Sequence, residues 1–246
     1  AGISAPSAKE DFKNGIVQST NYLSKHINKS DKKDNILEVG CSWGYFLSLL
    51  KDFGSIPYGL EINKVRSNYI KKNLKIRCEN DLREYEKESV KFNKIFLFYV
   101  IEYIPNPMKY LIRLFRLLKN KGSIIIYTPN KNDVLKNILQ SQEYLDFFYD
   151  ENSVNYFSKK SLNRLMKKLK IKKYTLKSHQ GYSIINFFSW FINNRPTKTG
   201  VVGGDNHIEK LIKILLSLNK NETVKNKKIS LTRKKLIKLI RKTDQD

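Results

Sequence analysis

Residues with chemical capacity gather first in Asn35-Ile-Leu-Glu-Val-Gly-Cys-Ser-Trp-Gly-Tyr45. A short apolar strand ends at Gly40, a tight turn follows, and a helix opens near Gly44. Glycines there let backbone approach a ligand, and N–H groups at a helix start face it, which is the form of a nucleotide-cofactor site. Ser42 stands where a glycine-rich loop would carry its middle glycine. A second run, Tyr58-Gly-Leu-Glu-Ile62, ends in an acid. Glu61 follows Gly40 by about twenty residues, the separation at which a carboxylate reaches ribose hydroxyls in a βαβ unit. The plainer alternatives are a strand–turn–helix connection for the glycines and an exposed strand-end acid for Glu61.

Glu38-Val39-Gly40-Cys41-Ser42-Trp43-Gly44 resembles the E-x-G-x-G-x-G signature of class I S-adenosylmethionine (SAM)-dependent methyltransferases. Later segments extend the resemblance in order. Asn80-Asp81-Leu82 is similar to the acidic element after the third strand, and Phe92 to Tyr99 to the fourth strand. Val100-Ile-Glu-Tyr-Ile-Pro-Asn-Pro107 resembles the family's LEHxxxP stretch, and Leu117 to Asn130 its LLxPGGxLxxxxPN element. The similarity covers roughly residues 34 to 175. Further on, Gln180 to Pro196 resembles a segment of methyltransferases encoded with bacterial surface-glycan genes, with Gly181 and Phe188 in place of that pattern's Arg and His.

The resemblance implies SAM as cofactor and a role for each matching residue. Gly40, Cys41, Ser42, Gly44 and Tyr45 would bring backbone close to it, and Glu38 would order the loop or meet the cofactor ammonium. Glu61, with Ile62 beside it, would accept both ribose hydroxyls. Asp81 would take the adenine amine, with the Leu82 backbone alongside; a helix N-cap is the other reading of Asp81. Phe98 and Tyr99 end the fourth strand where backbone meets cofactor, and Phe46 and Trp43 wall the pocket or pack in the core.

Transfer of a methyl group from a sulfonium needs no covalent intermediate, so positioning the acceptor and removing its proton are the tasks left to the protein. The family's two histidine positions are occupied by Tyr103 and Ser153. Glu102, Tyr103 or a cap residue, His179, are the catalytic candidates; Tyr103 is a poor base near neutral pH. His26 and His207 read as surface residues. The D/N-P-P-Y/F/W motif of amino-methylating DNA enzymes is absent after strand four, and neither cysteine stands where a cytosine carbon-5 methylase keeps its nucleophile. Oxygen methylation of a sugar, glycan intermediate or other small molecule leads. Isoprenoid-quinone precursors, RNA, and a catalytically inactive SAM-binding scaffold subunit are the rivals.

These residues require a frame of alternating strands and helices. The pattern gives an N-terminal helix over 8–29, strands at Asn35–Val39, Pro57–Glu61, Lys75–Cys78, Ile95–Tyr99 and Ser123–Tyr127, and helices from Tyr45, over Asn63–Asn73 and over Pro107–Leu118. Such alternation predicts a Rossmann-like, mostly parallel α/β sheet with helices on both faces. Beyond Asn130 the expectations are a helix over Asp133–Leu145, an aromatic loop or cap at Phe147–Tyr149, a Ser158-capped helix to Lys168 and a strand over Ile171–Leu176. A basic amphipathic helix over Lys227–Lys242 can lie on a membrane surface or pack on its own domain. The domain reading is a helical arm over 1–33, a SAM-binding core over 34–178 with a variable cap from about 131, and a C-terminal cap region with basic helices over 179–246.

The 246 residues suit one α/β domain with additions. No apolar stretch approaches the length of a membrane span. Ala1–Ser7 lacks Met and any secretory pattern, and reads as a processed end or a cut from a longer protein. Two cysteines, no C-x-x-C pair and three histidines give no zinc pattern and favour a reducing cytoplasm. The net charge of +24 would attract nucleic acid, anionic lipid or acidic glycans. Lysine outnumbers arginine about four to one, which an AT-rich genome would also produce.

Overall fold

The computed structural model describes residues 9–133, 136, 141–149, 151–178, 186, 189–190 and 194–196. Five strands form a wholly parallel sheet in the order β3-β2-β1-β4-β5. They are β1 (Asn35–Val39), β2 (Ile56–Leu60), β3 (Arg77–Glu79), β4 (Phe92–Phe98) and β5 (Leu118–Tyr127). The described α-helices are α1 (Lys9–His26), α2 (Tyr45–Phe53), α3 (Lys64–Tyr69), α4 (Leu82–Lys87), α5 (Pro107–Arg116), α6 (Gln142–Phe148) and α7 (Lys159–Lys168). The strand order reverses between β1 and β4, the switch point at which doubly wound sheets bind ligands.

Both sheet faces are covered, so the central strands read as continuous apolar runs. On one face Leu37, Ile95 and Leu97 pack under Leu82 and Tyr85 of α4, Leu111 and Leu114 of α5, and Met166 of α7. On the other, Ile36 and Phe96 pack under Tyr22 of α1 and Phe46, Leu47 and Leu50 of α2. Gly59 in β2 is required by this packing. A Cβ there would come within 2.9 Å of the Cys41 and Cys78 sulfurs, which themselves lie 3.9 Å apart.

Several boundaries differ from the sequence expectation. The third helix widens toward its end: α3 stops at Tyr69, and a π-helical turn over Ile70–Leu74 ends at Lys75 in the left-handed region. β5 starts at Leu118 rather than Ser123, because the chain makes a bulge opposite Phe92–Lys94 before regular pairing resumes at Ser123. Ile171–Leu176 is not a strand. Ile171 turns its N–H back to the Met166 carbonyl and packs into the core, while Lys172, Lys173 and Tyr174 are exposed. Phe147 and Phe148 belong to α6 rather than to a loop. The expected tail helix over 227–242 lies outside the described residues.

The chain divides into two compact units, residues 1–133 with 149–172, and residues 134–148 with 173–246. The first holds the sheet. In the second, Tyr144 meets the Trp190 ring edge-on at 4.9 Å, and Phe147 lies 5.0 Å from the same ring.

Candidate active site

At the C-terminal edge of the sheet, the loop from β1 to α2 alternates between ordinary and left-handed backbone. Gly40 (φ +71°), Ser42 (φ +50°) and Gly44 (φ +78°) all have positive φ. Glycine is required at the first for space as well as for φ, since a Cβ would stand 2.5 Å from Val100 Cγ2. Gly44 is the N-cap of α2 and brings no side chain to its first turn, so that turn is an uncapped helix start.

Glu61 fixes this loop. Its Oε2 accepts the Ser42 N–H and its Oε1 the Asn63 N–H, both at 2.9 Å, and the side chain is buried. The acid is thus a brace between the glycine loop and the turn after β2. Each carboxylate oxygen keeps a lone pair for a further donor. Asn80 reinforces the turn by donating from Nδ2 to the Glu61 carbonyl and to Ser67 Oγ, both at 2.7 Å. Ile62, next in sequence, is 85% exposed.

Glu38 has a different position. It is buried in β1, and Oε2 has no hydrogen-bond partner among the described residues. Burial first, then the neighbouring Cys78 and Glu61, pushes its carboxyl well above the usual range. A cleft of about 250 Å³ is lined by Glu38, Gly40, Cys41, Ser42, Tyr45, Phe46, Phe98 and Tyr99. Eight sequence-derived cofactor residues therefore surround one space.

The opposite wall was not legible in the sequence. Gly15, Gln18, Ser19 and Tyr22 of α1 line the same cleft. Gly15 is bare where any Cβ would overlap the Tyr45 ring. Tyr22 stacks on Phe98 at 4.0 Å and receives a hydrogen bond from Gln18 Nε2. Burial, with Tyr99 beside it, pushes the Tyr22 phenol far up. A glycine inside the helical stripe was the one available signal. Tyr99 itself has φ +55° and donates its N–H to the Tyr127 carbonyl. His26 is not a surface residue: its Nε2 lies 2.8 Å from the Tyr127 hydroxyl, and burial, then Lys94 and Lys25, lowers its pKa.

Asp81 and Leu82 start α4, a helix that the strand–helix pattern did not yield. Asp81 is its N-cap: Oδ1 accepts the Arg83 N–H, and Oδ2 accepts the Arg83 guanidinium at 2.6 Å. Those bonds hold its carboxyl at about 2. The Leu82 side chain lies in the core. Trp43 does not line the cleft; its ring meets Tyr69 edge-on at 5.4 Å with Arg66 over one face.

Glu102 and Tyr103 fall in a short 3-10 turn after β4, Ile101–Tyr103. Tyr103 is exposed, whereas Glu102 is buried and its Oε2 accepts from Thr128 Oγ1 at 3.1 Å. The Glu102 carbonyl accepts the N–H groups of Val154 and Asn155, which ties the segment around Ser153 to the end of β4. His179 lies outside the described residues, as does His207.

The chemistry of this donor set fits SAM. A buried carboxylate oxygen without a donor suits a cationic group, an uncapped helix start suits a carboxylate, and a left-handed glycine loop admits close backbone approach. Comparison with known proteins agrees. Residues 10–170 match the family model described as "Methyltransferase domain". An uncharacterized protein of Methanocaldococcus jannaschii is 32% identical over 139 residues, covering 52% of this chain and 59% of its own. The ubiquinone biosynthesis O-methyltransferase of Coxiella burnetii is 25% identical over 118 residues, 45% of this chain and 49% of its own. The chain thus spans only about half the length of these curated relatives. The crystal structure of a SAM-dependent methyltransferase from Archaeoglobus fulgidus shares the fold, with a TM-score of 0.57 at 17% identity over 86% of this chain and 90% of that one. The chain belongs to the methyltransferase-domain family, and its sheet has the fold of a solved SAM-dependent methyltransferase.

Proposed function

We propose that this protein methylates a hydroxyl oxygen of a small molecule, and that the acceptor is a sugar or glycan intermediate. The observation that carries the reading is the donor-free Glu38 oxygen, buried in a cleft that also holds the Gly40–Gly44 loop. When bound, SAM supplies a methyl group made electrophilic by its sulfonium. Glu38 is assigned to the cofactor ammonium, whose arrival gives the buried carboxylate a reason to ionise. Glu61 is assigned to the ribose hydroxyls while still holding Ser42 and Asn63. Gly40, Cys41, Ser42, Gly44 and Tyr45 supply backbone, Phe46, Phe98 and Tyr99 supply walls, and Asp81 with the backbones of Ile62 and Leu82 receives the base.

On the acceptor side, Glu102 is the group assigned to receive the hydroxyl proton, with Tyr103 orienting the hydroxyl and His179 as the rival base. The absence of both family imidazoles leaves positioning as the larger share of the catalysis. A phenolic hydroxyl of an isoprenoid-quinone precursor is the second reading. It is supported by the similarity to a ubiquinone-pathway O-methyltransferase.

The test incubates the protein with methyl-labelled SAM and extract of the source cell, and follows label into carbohydrate, lipid-extractable and nuclease-sensitive fractions. Label in carbohydrate supports the leading reading, and label in an extractable phenol supports the second. Label confined to nuclease-sensitive material overturns both in favour of RNA. SAM binding with no label anywhere would make the protein a scaffold subunit.

A further inference from the structure

The positive charge is not spread evenly. Residues 1–102 hold 17 Lys and Arg against 13 Asp and Glu, whereas residues 103–204 hold 18 against 5. A genome-wide lysine bias explains the equal numbers of bases. It does not explain the loss of acids. Within the sheet unit the two longest acid-free stretches are 103–132 and 152–172, and these contain α5 and α7. Both helices pack on the same face of the sheet.

α5 presents a second feature on that face. Met108, Ile112 and Phe115 are 36%, 38% and 36% exposed. At about 100° per residue they form one stripe along the helix, roughly a quarter turn from the buried Leu111 and Leu114. Lys109 and Arg116, both exposed, border the stripe on its solvent side. α7 buries Met166, with Leu162 and Leu165 against the same core, and turns Lys159, Lys160, Arg164, Lys167 and Lys168 to solvent. None of those five forms an ion pair among the described residues. By contrast, the acids of α4 on the same sheet face are matched: Asp81 by Arg83, Glu84 by Lys87 and Glu86 by Arg113.

We propose that this face, the α5 stripe bordered by the bases of α5 and α7, docks on the surface of an anionic lipid bilayer. Apolar side chains that enter the acyl boundary and lysines that meet anionic headgroups are the two components of peripheral membrane binding. Neither alternative occupant fits as well. In a pair of two-fold related copies, the same basic flanks would face each other, and three side chains on one ten-residue helix are a small contact beside a stable dimer interface. Nucleic acid would use the lysines but leaves Met108 and Ile112 without a role, since single strands are held by aromatic stacking. Docking on α5 brings the Ile101–Tyr103 turn, four residues before Pro107, to the bilayer, so an acceptor resident in the membrane would not have to leave it. The docking itself does not depend on which acceptor is methylated.

The test is flotation of the full chain with vesicles of phosphatidylcholine alone and of phosphatidylcholine with phosphatidylglycerol. The wild type is expected to float with the anionic vesicles only, and to be released at about 0.5 M salt. Ile112→Ser with Phe115→Ser is expected to weaken binding about ten-fold, with SAM affinity unchanged as the check on folding. Lys109→Glu with Arg116→Glu is a second variant, at exposed positions, that should weaken it similarly. Failure of the wild type to float overturns the proposal, as does equal binding to neutral vesicles. Undiminished flotation of both variants also overturns it. If the stripe variant instead converts a dimer to a monomer by light scattering, or the charge variant loses RNA while vesicles never bind, the face belongs to self-association or nucleic acid.

Discussion

Two clefts open at opposite ends of the same parallel strands, and the larger is the less informative. Where β2 and β3 begin, a hollow of about 360 Å³ is lined by Lys51, Ser55, Ile56, Pro57, Tyr58, Lys75, Ile76 and Arg77. Its polar groups are largely engaged. Lys51 Nζ donates to the Leu74 carbonyl, Ser55 Oγ to the Asp31 carbonyl, and Arg77 to Glu79 and Glu88. The smaller cleft where β1 and β4 end has a buried carboxylate oxygen with no donor and a helix start with no cap. Native structures rarely leave such groups unmatched. Between the two clefts, unmet hydrogen-bonding capacity rather than volume distinguishes the end to which the cofactor is assigned.

The harshest way to break that distinction is to fill the loop. Gly40→Ala adds a Cβ against Val100 in backbone that disfavours it. Calorimetry should show SAM affinity roughly 100-fold weaker, from a strain of a few kcal/mol. Adding Val100→Ala should restore part of the loss, because the steric share is removed and the φ share remains. Wild-type affinity in the single variant would mean that the cofactor does not approach this loop.

Glu61→Ala comes next and separates bracing from binding. It leaves the Ser42 and Asn63 N–H groups without their acceptor, so denaturant melts should lose about 1–3 kcal/mol. SAM affinity should fall about ten-fold as charge-assisted ribose bonds are lost. An unchanged calorimetric affinity with lowered stability would reduce Glu61 to a structural brace.

Glu38→Gln should have a smaller effect on the fold, and of opposite sign. Because burial raises its pKa, native Glu38 holds a proton that the unfolded chain releases. The unfolded state then binds fewer protons, so stability falls as pH rises from the ordinary glutamate range toward the raised native value. Glutamine removes that slope. Urea melts of the SAM-free protein should show a flatter pH dependence and higher stability at neutral pH, while SAM affinity drops about ten-fold because the ammonium loses its charge partner. Parallel slopes in the two proteins would show that Glu38 is ionised without a ligand.

What the sequence revealed follows the same division. Backbone-built parts were legible: Gly40 and Gly44 because left-handed turns select glycine, Glu61 because its distance from the loop is set by one βα unit, and β1, β2 and β4 because buried parallel strands are continuously apolar. Side-chain-built parts were not. Gln18 and Ser19 are ordinary exposed-helix residue types, so nothing local showed that α1 walls the cleft. Leu82–Lys87 is too short and too charged to display an apolar period, and only the Asp81 cap announced α4. Ile171–Leu176 had the composition of a strand, but Ile171 instead closes the end of α7 through the Met166 carbonyl and the next residues run exposed. The end assigned to the acceptor depends on such side chains: Glu102 is held by Thr128 and Asn155, contacts that no sequence spacing contains.

The smallest effect belongs to the larger cleft. Lys51→Ala removes one of its cationic groups and the bond to the Leu74 carbonyl, in a side chain exposed to solvent. Leu74 ends the π-helical turn whose other side packs against Gly44, since a Cβ on Gly44 would lie 2.8 Å from Leu74 Cδ1. One hydrogen bond and one side-chain contact therefore run from Lys51 through Leu74 to the Gly40–Gly44 loop. A single solvent-exposed hydrogen bond contributes little, however, because water replaces the lost donor. SAM affinity should remain at the wild-type value and the melting midpoint should barely move. A clear loss of affinity in Lys51→Ala would mean that the π-helical turn transmits strain to Gly44, and that the two ends of the sheet do not act independently.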